Sequence, residues 1–275
     1  MRQEAFGSRE EGHGDELRYF IRGFQPQALS LRGYAYIMGC ESRRIGWAWL
    51  GPVEYERAMR WQERLRERVR QDERCGYLLL LEHPPVITFG YSLRGDEGRS
   101  ELRTDRETLA QEGITLHQAD RGGKATFHGP GQLVGYPVLD IKRLRLGAKR
   151  YVGKLEEFLL ALLRELKVEA RQDPRFPGLW VEDAKIAALG VHIEDRVTTH
   201  GFAINLDPEL KHFRHIVPCG LPDREVTSVA RVLGRAPEPE QVIPELVRIF
   251  GLNFGAAMEE LSRQELLVQA GEEEA

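Results

Sequence analysis

The sequence predicts an α+β fold: a single domain with one mixed β-sheet flanked by helices. Three observations carry this. Apolar runs of strand length recur along the chain, helices with broad apolar faces lie between them, and 275 residues at 41% hydrophobic content suffice for one sizeable core.

The elements follow in order. Residues 1–37 hold several glycines and charges but no sustained period. They read as a disordered N-terminal extension, or as the product of an upstream start codon with Met38 the true beginning, so that the catalytic domain spans 38–270. Residues 45–50 (IGWAWL) are the first strand-like run. A helix is expected from Pro52 to about Gln71, because proline suits a first turn and Ala58, Trp61, Leu65 and Val69 recur at helical spacing. Residues 75–82 (CGYLLLLE) suit a buried strand, and 86–89 form another after the Pro84-Pro85 break. Residues 91–106 are charged and turn-rich and read as a mobile loop.

Strands are expected at 114–118 and 133–139, with the glycine-rich segment 122–131 between them. The clearest helix is 151–167, where Val152, Leu155, Phe158, Leu159, Leu162, Leu163 and Leu166 make a wide apolar face. Strands follow at 179–181, 186–193 and 197–206, the last two forming a hairpin about Glu194-Asp195-Arg196. Two helices, about 240–250 and 256–268, precede an acidic tail at 271–275. No internal repeat is present.

Composition excludes several classes. Lys plus Arg total 39 against 43 Asp plus Glu, a net charge of −4, which does not suit a protein built to neutralise phosphates. The arginines between Arg57 and Arg74 alternate with Glu56, Glu63, Glu67, Asp72 and Glu73, as on a solvated helix face. No apolar run is long enough for a membrane helix, and no secretory signal pattern opens the chain. Three scattered cysteines, Cys40, Cys75 and Cys219, make neither a disulfide framework nor a zinc motif, so a reducing cytoplasm is the expected location.

Four segments carry candidate chemistry. Arg121 to Gln132 (RGGKATFHGPGQ) packs four glycines and a proline into twelve positions, which lets backbone amides approach a ligand; a tight surface loop is the plainer alternative. It matches neither a Walker A loop nor a dinucleotide fingerprint. Lys185 precedes the small apolar run Ile186-Ala187-Ala188-Leu189-Gly190; a lysine there either guards a strand edge or loses solvation against that wall. His200, in HGFAIN, lies on the facing strand of the hairpin and reads alone as a hydrogen-bonded structural histidine. A metal site from His200, His212 and His215 is conceivable, but no H-E-x-x-H or H-x-x-E-H spacing supports one, and none is expected. Cys219 sits between Pro218 and Gly220 in a rigid turn, so it is either a presented nucleophile or an ordinary turn cysteine.

The order of these segments adds what none carries alone. R-G-G-x-x-x-x-H-G-P-G-Q, then K-I-x-x-L-G, then H-G-F-A-x-N, then P-C-G with T-S soon after, resembles the lipoate–protein ligase B family, the octanoyl-[acyl carrier protein]:protein N-octanoyltransferases. The resemblance runs from about Trp47 to about Phe250. It implies a fold similar to the catalytic domains of biotin and lipoate protein ligases, and transfer of octanoyl from acyl carrier protein to a lysine of lipoyl domains, the first step of de novo lipoylation.

Position by position, the resemblance implies Cys219 as the acyl-thioester nucleophile and Lys185 as its activating lysine. It implies substrate contacts from Arg121, Gly122, Gly123, Lys124, Ala125, Thr126, Phe127 and His128, from Ala188, Leu189 and Gly190, and from His200, Gly201 and Phe202. Ala188 departs from the family by standing where a serine is common. The implied acceptors are lipoyl domains of 2-oxoacid dehydrogenase E2 subunits and the glycine cleavage H protein, with no cofactor, metal, nucleic acid or membrane. The main rival is an ATP-dependent lipoate or biotin ligase of the same fold, which needs no nucleophilic cysteine; a non-catalytic binding scaffold is the other.

Overall fold

A computed structural model describes residues 43–93, 101–173, 175–217 and 224–272. The expected N-terminal extension with Met38, most of the tail, and Cys219 lie outside the described residues.

The main sheet has eight strands in the order β11-β1-β2-β6-β10-β9-β8-β7. Its centre is β2 (Gly76–Glu82), β6 (Gln132–Leu139) and β10 (Val197–Asn205), which pair antiparallel. Toward one edge lie β1 (Arg44–Pro52), parallel to β2, and β11 (Ala257–Glu260), parallel to β1. Toward the other edge lie β9 (Ala184–Glu194), β8 (Phe176–Val181) and β7 (Arg171–Asp173), all antiparallel. The sheet is therefore mixed, with helices on both faces, as the sequence predicts.

The run GYLLLLE is apolar throughout because β2 is buried on both faces. Leu78 and Leu80 join the cluster under α3 (Ala148–Glu165) and α5 (Pro239–Phe254), while Tyr77, Leu79 and Leu81 join the one under α1 (Tyr55–Val69). On α1 the spaced residues Ala58, Trp61, Leu65 and Val69 are fully buried, and burying each large side chain contributes roughly 1.5–3 kcal/mol. On α3 the residues Leu155, Phe158, Leu159, Leu162 and Leu163 do the same. Most arginines of α1 stay toward solvent, where Arg57 pairs with Glu272, while the largely covered Arg66 pairs with Glu63.

A smaller sheet, β4-β3-β5, uses β3 (Val86–Phe89) at its centre, parallel to β4 (Thr115–Gln118) and antiparallel to β5 (Ala125–His128). It packs with a short helix, α2 (Arg106–Gln111), and with a 3-10 turn, Leu210–His215, through Ile87, Leu109, Phe127 and Phe213.

Three expectations change. The glycine-rich segment contains a strand, β5, because Ala125 and Phe127 alternate into a core between the glycine pairs. The expected loop at 91–106 leads into α2, capped by the Asp105 carboxylate accepting from the Thr108 amide, while residues 94–100 lie outside the described residues. The helix expected at 256–268 is two elements. Residues 257–260 extend the sheet as β11, and Ser262 with Glu265 makes a capping box that starts α6 (Arg263–Gln269) afresh. Beyond these, β7, the 3-10 turn and α4 (Val229–Leu233) carry too little periodicity to be read from sequence. Among the described residues no helix is long and apolar enough to cross a membrane.

Candidate active site

One cavity of about 290 Å³ lies where the small sheet meets β9 and β10, near the low end of the roughly 300–1,000 Å³ usual for small-molecule sites. The hairpin β9–β10 supplies one wall. Its register sets Gly190 opposite Gly201 and Leu189 opposite Phe202, so two predicted segments on neighbouring strands share one surface. The glycine-rich loop supplies the facing wall. It is stitched to β9 by the Gly122 amide donating to the Val191 carbonyl (3.0 Å) and to the segment after β3 by the Tyr91 amide donating to the Arg121 carbonyl (2.9 Å).

The close approach explains two glycines. A Cβ on Gly90 would lie 2.1 Å from the Gly123 carbonyl oxygen, and one on Gly190 would lie 3.0 Å from Arg121 Cδ and 3.1 Å from the Gly122 oxygen. Arg121 is buried and braces the small sheet: its Nη2 donates to the Thr88 carbonyl (2.9 Å) and hydroxyl (2.7 Å). Lys124 donates to Glu101 at 3.2 Å.

Arg121, Gly122, Gly123, Lys124, Ala125, Thr126 and His128 line the cavity from the loop side, and Ala188, Leu189, Gly190, His200, Gly201 and Phe202 from the hairpin. Phe127 does not join them. Strand alternation sends its ring to the opposite side of β5, where it packs edge-on against Phe213.

Lys185 enters the same cavity from β9. It is 7% exposed, its Nζ donates to the Pro177 carbonyl at 2.9 Å, and it sits 4.7 Å from the Trp180 ring centroid, a cation–π contact. A Cβ on Gly178, whose φ is +116°, would crowd that ammonium at 3.3 Å. The Lys185 backbone also ties down the chain after Cys219: its amide donates to the Glu225 carbonyl and its carbonyl accepts from the Thr227 amide, both at 2.9 Å. On the near side, the Val217 amide donates to the Glu101 carbonyl at 2.9 Å. The chain after residue 223 is thus fixed to a lining residue of the cavity, and the chain before residue 218 to Glu101, the partner of Lys124.

His200 occupies β10 with φ +55°, a left-handed conformation that costs a non-glycine residue roughly 1–2 kcal/mol. Its Nε2 faces Asp120 Oδ1 at 2.6 Å. The hydrogen bond from His200 pulls the Asp120 carboxyl down to about 2, and burial lowers the imidazole below its ordinary value. At neutral pH the pair is a carboxylate accepting Nε2–H from a neutral ring, which leaves Nδ1 as the acceptor.

His128 is held by a different device. Gln132 Nε2 donates to the Phe127 carbonyl (3.3 Å) and to Asn205 Oδ1 (2.8 Å), so its Oε1 accepts from His128 Nδ1–H at 2.6 Å. Burial keeps this ring neutral, and its lone pair sits on Nε2. Asn205 Nδ2 passes the chain on to the Thr227 carbonyl at 2.9 Å. One buried network therefore links the glycine-rich loop to the segment beside Lys185. Behind it, His83 Nδ1–H donates to the Val53 carbonyl (2.6 Å), its Nε2 accepts from the Tyr136 hydroxyl (2.8 Å), and burial depresses its pKa to about 4.

Sequence reasoning missed Asp120, Tyr55, Tyr136 and Gln62. Tyr55 lines the cavity with a buried hydroxyl that bonds nothing among the described residues, and burial pushes it up to about 12, so it stays an O–H donor. The Gln62 side chain accepts the His200 amide at 2.5 Å from a position on α1 that otherwise reads as helix surface. Only Gln132 and Asn205 had a signal, as the polar ends of H-G-P-G-Q and H-G-F-A-x-N.

Comparison with known proteins gives the family and the fold. Residues 54–251 match the family model of the lipoyl protein ligase A/B catalytic domain. An octanoyltransferase of Caldicellulosiruptor saccharolyticus is 40% identical over 225 residues, covering 81% of this chain and 94% of that protein. One from Alkaliphilus metalliredigens is 44% identical over 186 residues, covering 67% and 84%. Two solved structures share the fold: lipoate-protein ligase A bound with ATP (18% identity, TM-score 0.61, 84% of this chain and 93% of that one), and a bipartite lipoate protein ligase from Thermoplasma acidophilum (17%, 0.61, 83% and 91%). At these identities the matching sequences, rather than the shared fold, decide the assignment: the chain belongs to the lipoyl protein ligase A/B catalytic-domain family and, within it, to the octanoyltransferases.

Proposed function

We propose that the chain transfers an octanoyl group from octanoyl-acyl carrier protein to a lysine amine of lipoyl domains, by way of a thioester on Cys219. The relatives' names supply the acyl group and the transfer. The observation that most supports the reading is the meeting of Lys185, the glycine-rich loop and the His200 hairpin around one cavity, with Glu225 and Thr227, just after 218–223, bonded to the Lys185 backbone.

In the first step the Cys219 sulfur attacks the donor thioester carbonyl. The C–S bond to the carrier breaks, and the carrier thiolate takes up the proton that the cysteine thiol gave up. Lys185 relays that proton or steadies the thiolate. One thioester replaces another of similar energy, so neither transfer begins in a deep well. In the second step the acceptor lysine amine attacks the Cys219 acyl carbon, an amide forms, and the sulfur leaves with the amine's proton through Lys185. Backbone amides near Gly190 or around Cys219 hold the oxyanion of each tetrahedral intermediate, a donor typically worth ~3 kcal/mol. His128 and His200, both neutral and oriented through one ring nitrogen, shape the polar end of the site. The acceptors are the lipoyl domains of E2 subunits and the H protein, and the reaction needs neither metal nor ATP.

The test is intact-mass analysis with octanoyl-carrier protein. Wild type gains one octanoyl mass that hydroxylamine removes, and Cys219→Ser gains none. Transfer from free octanoate that requires ATP would instead identify an adenylating ligase.

A further inference from the structure

The glycine-rich wall has a second side. Where Phe127 leaves the cavity its ring stacks on His212 at 5.1 Å, within a surface pocket that also holds Thr104, Glu112, Glu209 and His215. His212 and His215 are three apart, a spacing that faces apart from any α-helical zinc motif. They lie on the 3-10 turn Leu210–His215, and at three residues per turn positions i and i+3 eclipse, so both rings share a face.

Both rings aim at one atom. Glu112 Oε2 lies 3.0 Å from His215 Nε2 and 3.4 Å from His212 Nδ1, and that His212 nitrogen is buried and makes no hydrogen bond among the described residues. The outer nitrogens are engaged elsewhere: His215 Nδ1 with the Thr104 hydroxyl at 2.9 Å, and His212 Nε2 with Glu209 Oε2 at 3.2 Å. A hydroxyl or carboxylate that accepts an outer N–H fixes the tautomer that turns a lone pair inward, which is how metal-binding histidines are oriented. Two imidazole nitrogens and a carboxylate oxygen then converge, all within 4.8 Å of one another. Ligands about 2.1 Å from a tetrahedral ion stand roughly 3.4 Å apart, so closure needs shifts of about an ångström.

We propose that Glu112, His212 and His215 form a binding site for a divalent transition ion of the zinc class, with Thr104 and Glu209 as orienting partners and water in the fourth position. The mixed nitrogen and oxygen donors suit zinc or cobalt better than calcium or magnesium, which prefer oxygen alone. The ion joins the end of α2 to the turn that precedes Val217, behind the wall of the cavity and outside the acyl chemistry. The inference does not rest on the proposed transfer reaction.

The experiment is titration of the metal-free full-length chain with Co2+, followed in the visible and by thermal unfolding. One equivalent is expected to give the ligand-field absorption of tetrahedral cobalt, Zn2+ is expected to bleach it, and either ion raises Tm. The double variant His212→Ala/His215→Ala loses the absorption and the Tm shift, and Thr104→Val weakens binding roughly 10-fold. If the double variant does not fold by circular dichroism, Glu112→Gln replaces it, with the same loss expected. Wild type that binds Co2+ or Zn2+ no more tightly than these variants overturns the proposal, as does a tetrahedral spectrum that persists in them.

Discussion

Replacing Asp120 by asparagine removes the charge opposite His200 and keeps an oxygen that can accept its Nε2–H. The bond with His200 pulls the carboxyl from 3.8 to about 2, a difference that would be ~2.5 kcal/mol in a fully shielded pair. The Asp120 side chain is 53% exposed, so solvent screening reduces this to about 1 kcal/mol. The sign follows from a depressed acid. The stabilisation is complete above 3.8 and is lost as pH falls through about 2. Asp120→Asn is therefore expected to lower unfolding free energy in urea by about 1 kcal/mol at pH 7, with the gap from wild type closing between pH 4 and pH 2. Asp120→Ala also strands the buried His200 N–H and costs a further 1–3 kcal/mol, roughly, at the low end where water enters. An asparagine variant as stable as wild type at pH 7, or a gap that does not narrow in acid, would refute the argument.

Two further outcomes are expected. Lys185→Ala should move alkylation of Cys219 to higher pH, since a cation beside a thiol favours the thiolate; an unchanged alkylation profile removes Lys185 from the activating role. His83 is buried neutral, with a folded pKa of about 4 against 6.5, so stability is complete above 6.5 and falls as the unfolded ring takes up a proton, by up to about 3 kcal/mol at pH 4. His83→Gln should flatten the urea midpoint over that window, and an unflattened profile would place the pH dependence elsewhere.

Local physics made much of the molecule readable. The spacing of Trp61, Leu65 and Val69, the unbroken run in β2, and the hairpin about Asp195 each state their burial in the sequence, because side-chain period follows backbone geometry. The order of glycine-rich loop, Lys185, His200 and Cys219 likewise marks the family in the sequence. What periodicity does not encode is which distant residues meet. Asp120 and His200 are 80 positions apart and touch only because β9 and β10 fold beside the loop after β4. Ala256 to Val268 has the composition of one helix, yet the open edge of β1 takes residues 257–260 as a strand, and a hydrogen-bonded ladder there outweighs local propensity. Glu112 meets His212 and His215 for the same reason: a 3-10 turn sets their spacing, and only the packing of α2 against it brings the third group within reach. Sequence determined the elements and the chemistry they carry, and tertiary structure decided the partners, because pairing depends on sheet order and layer contacts that no local window contains.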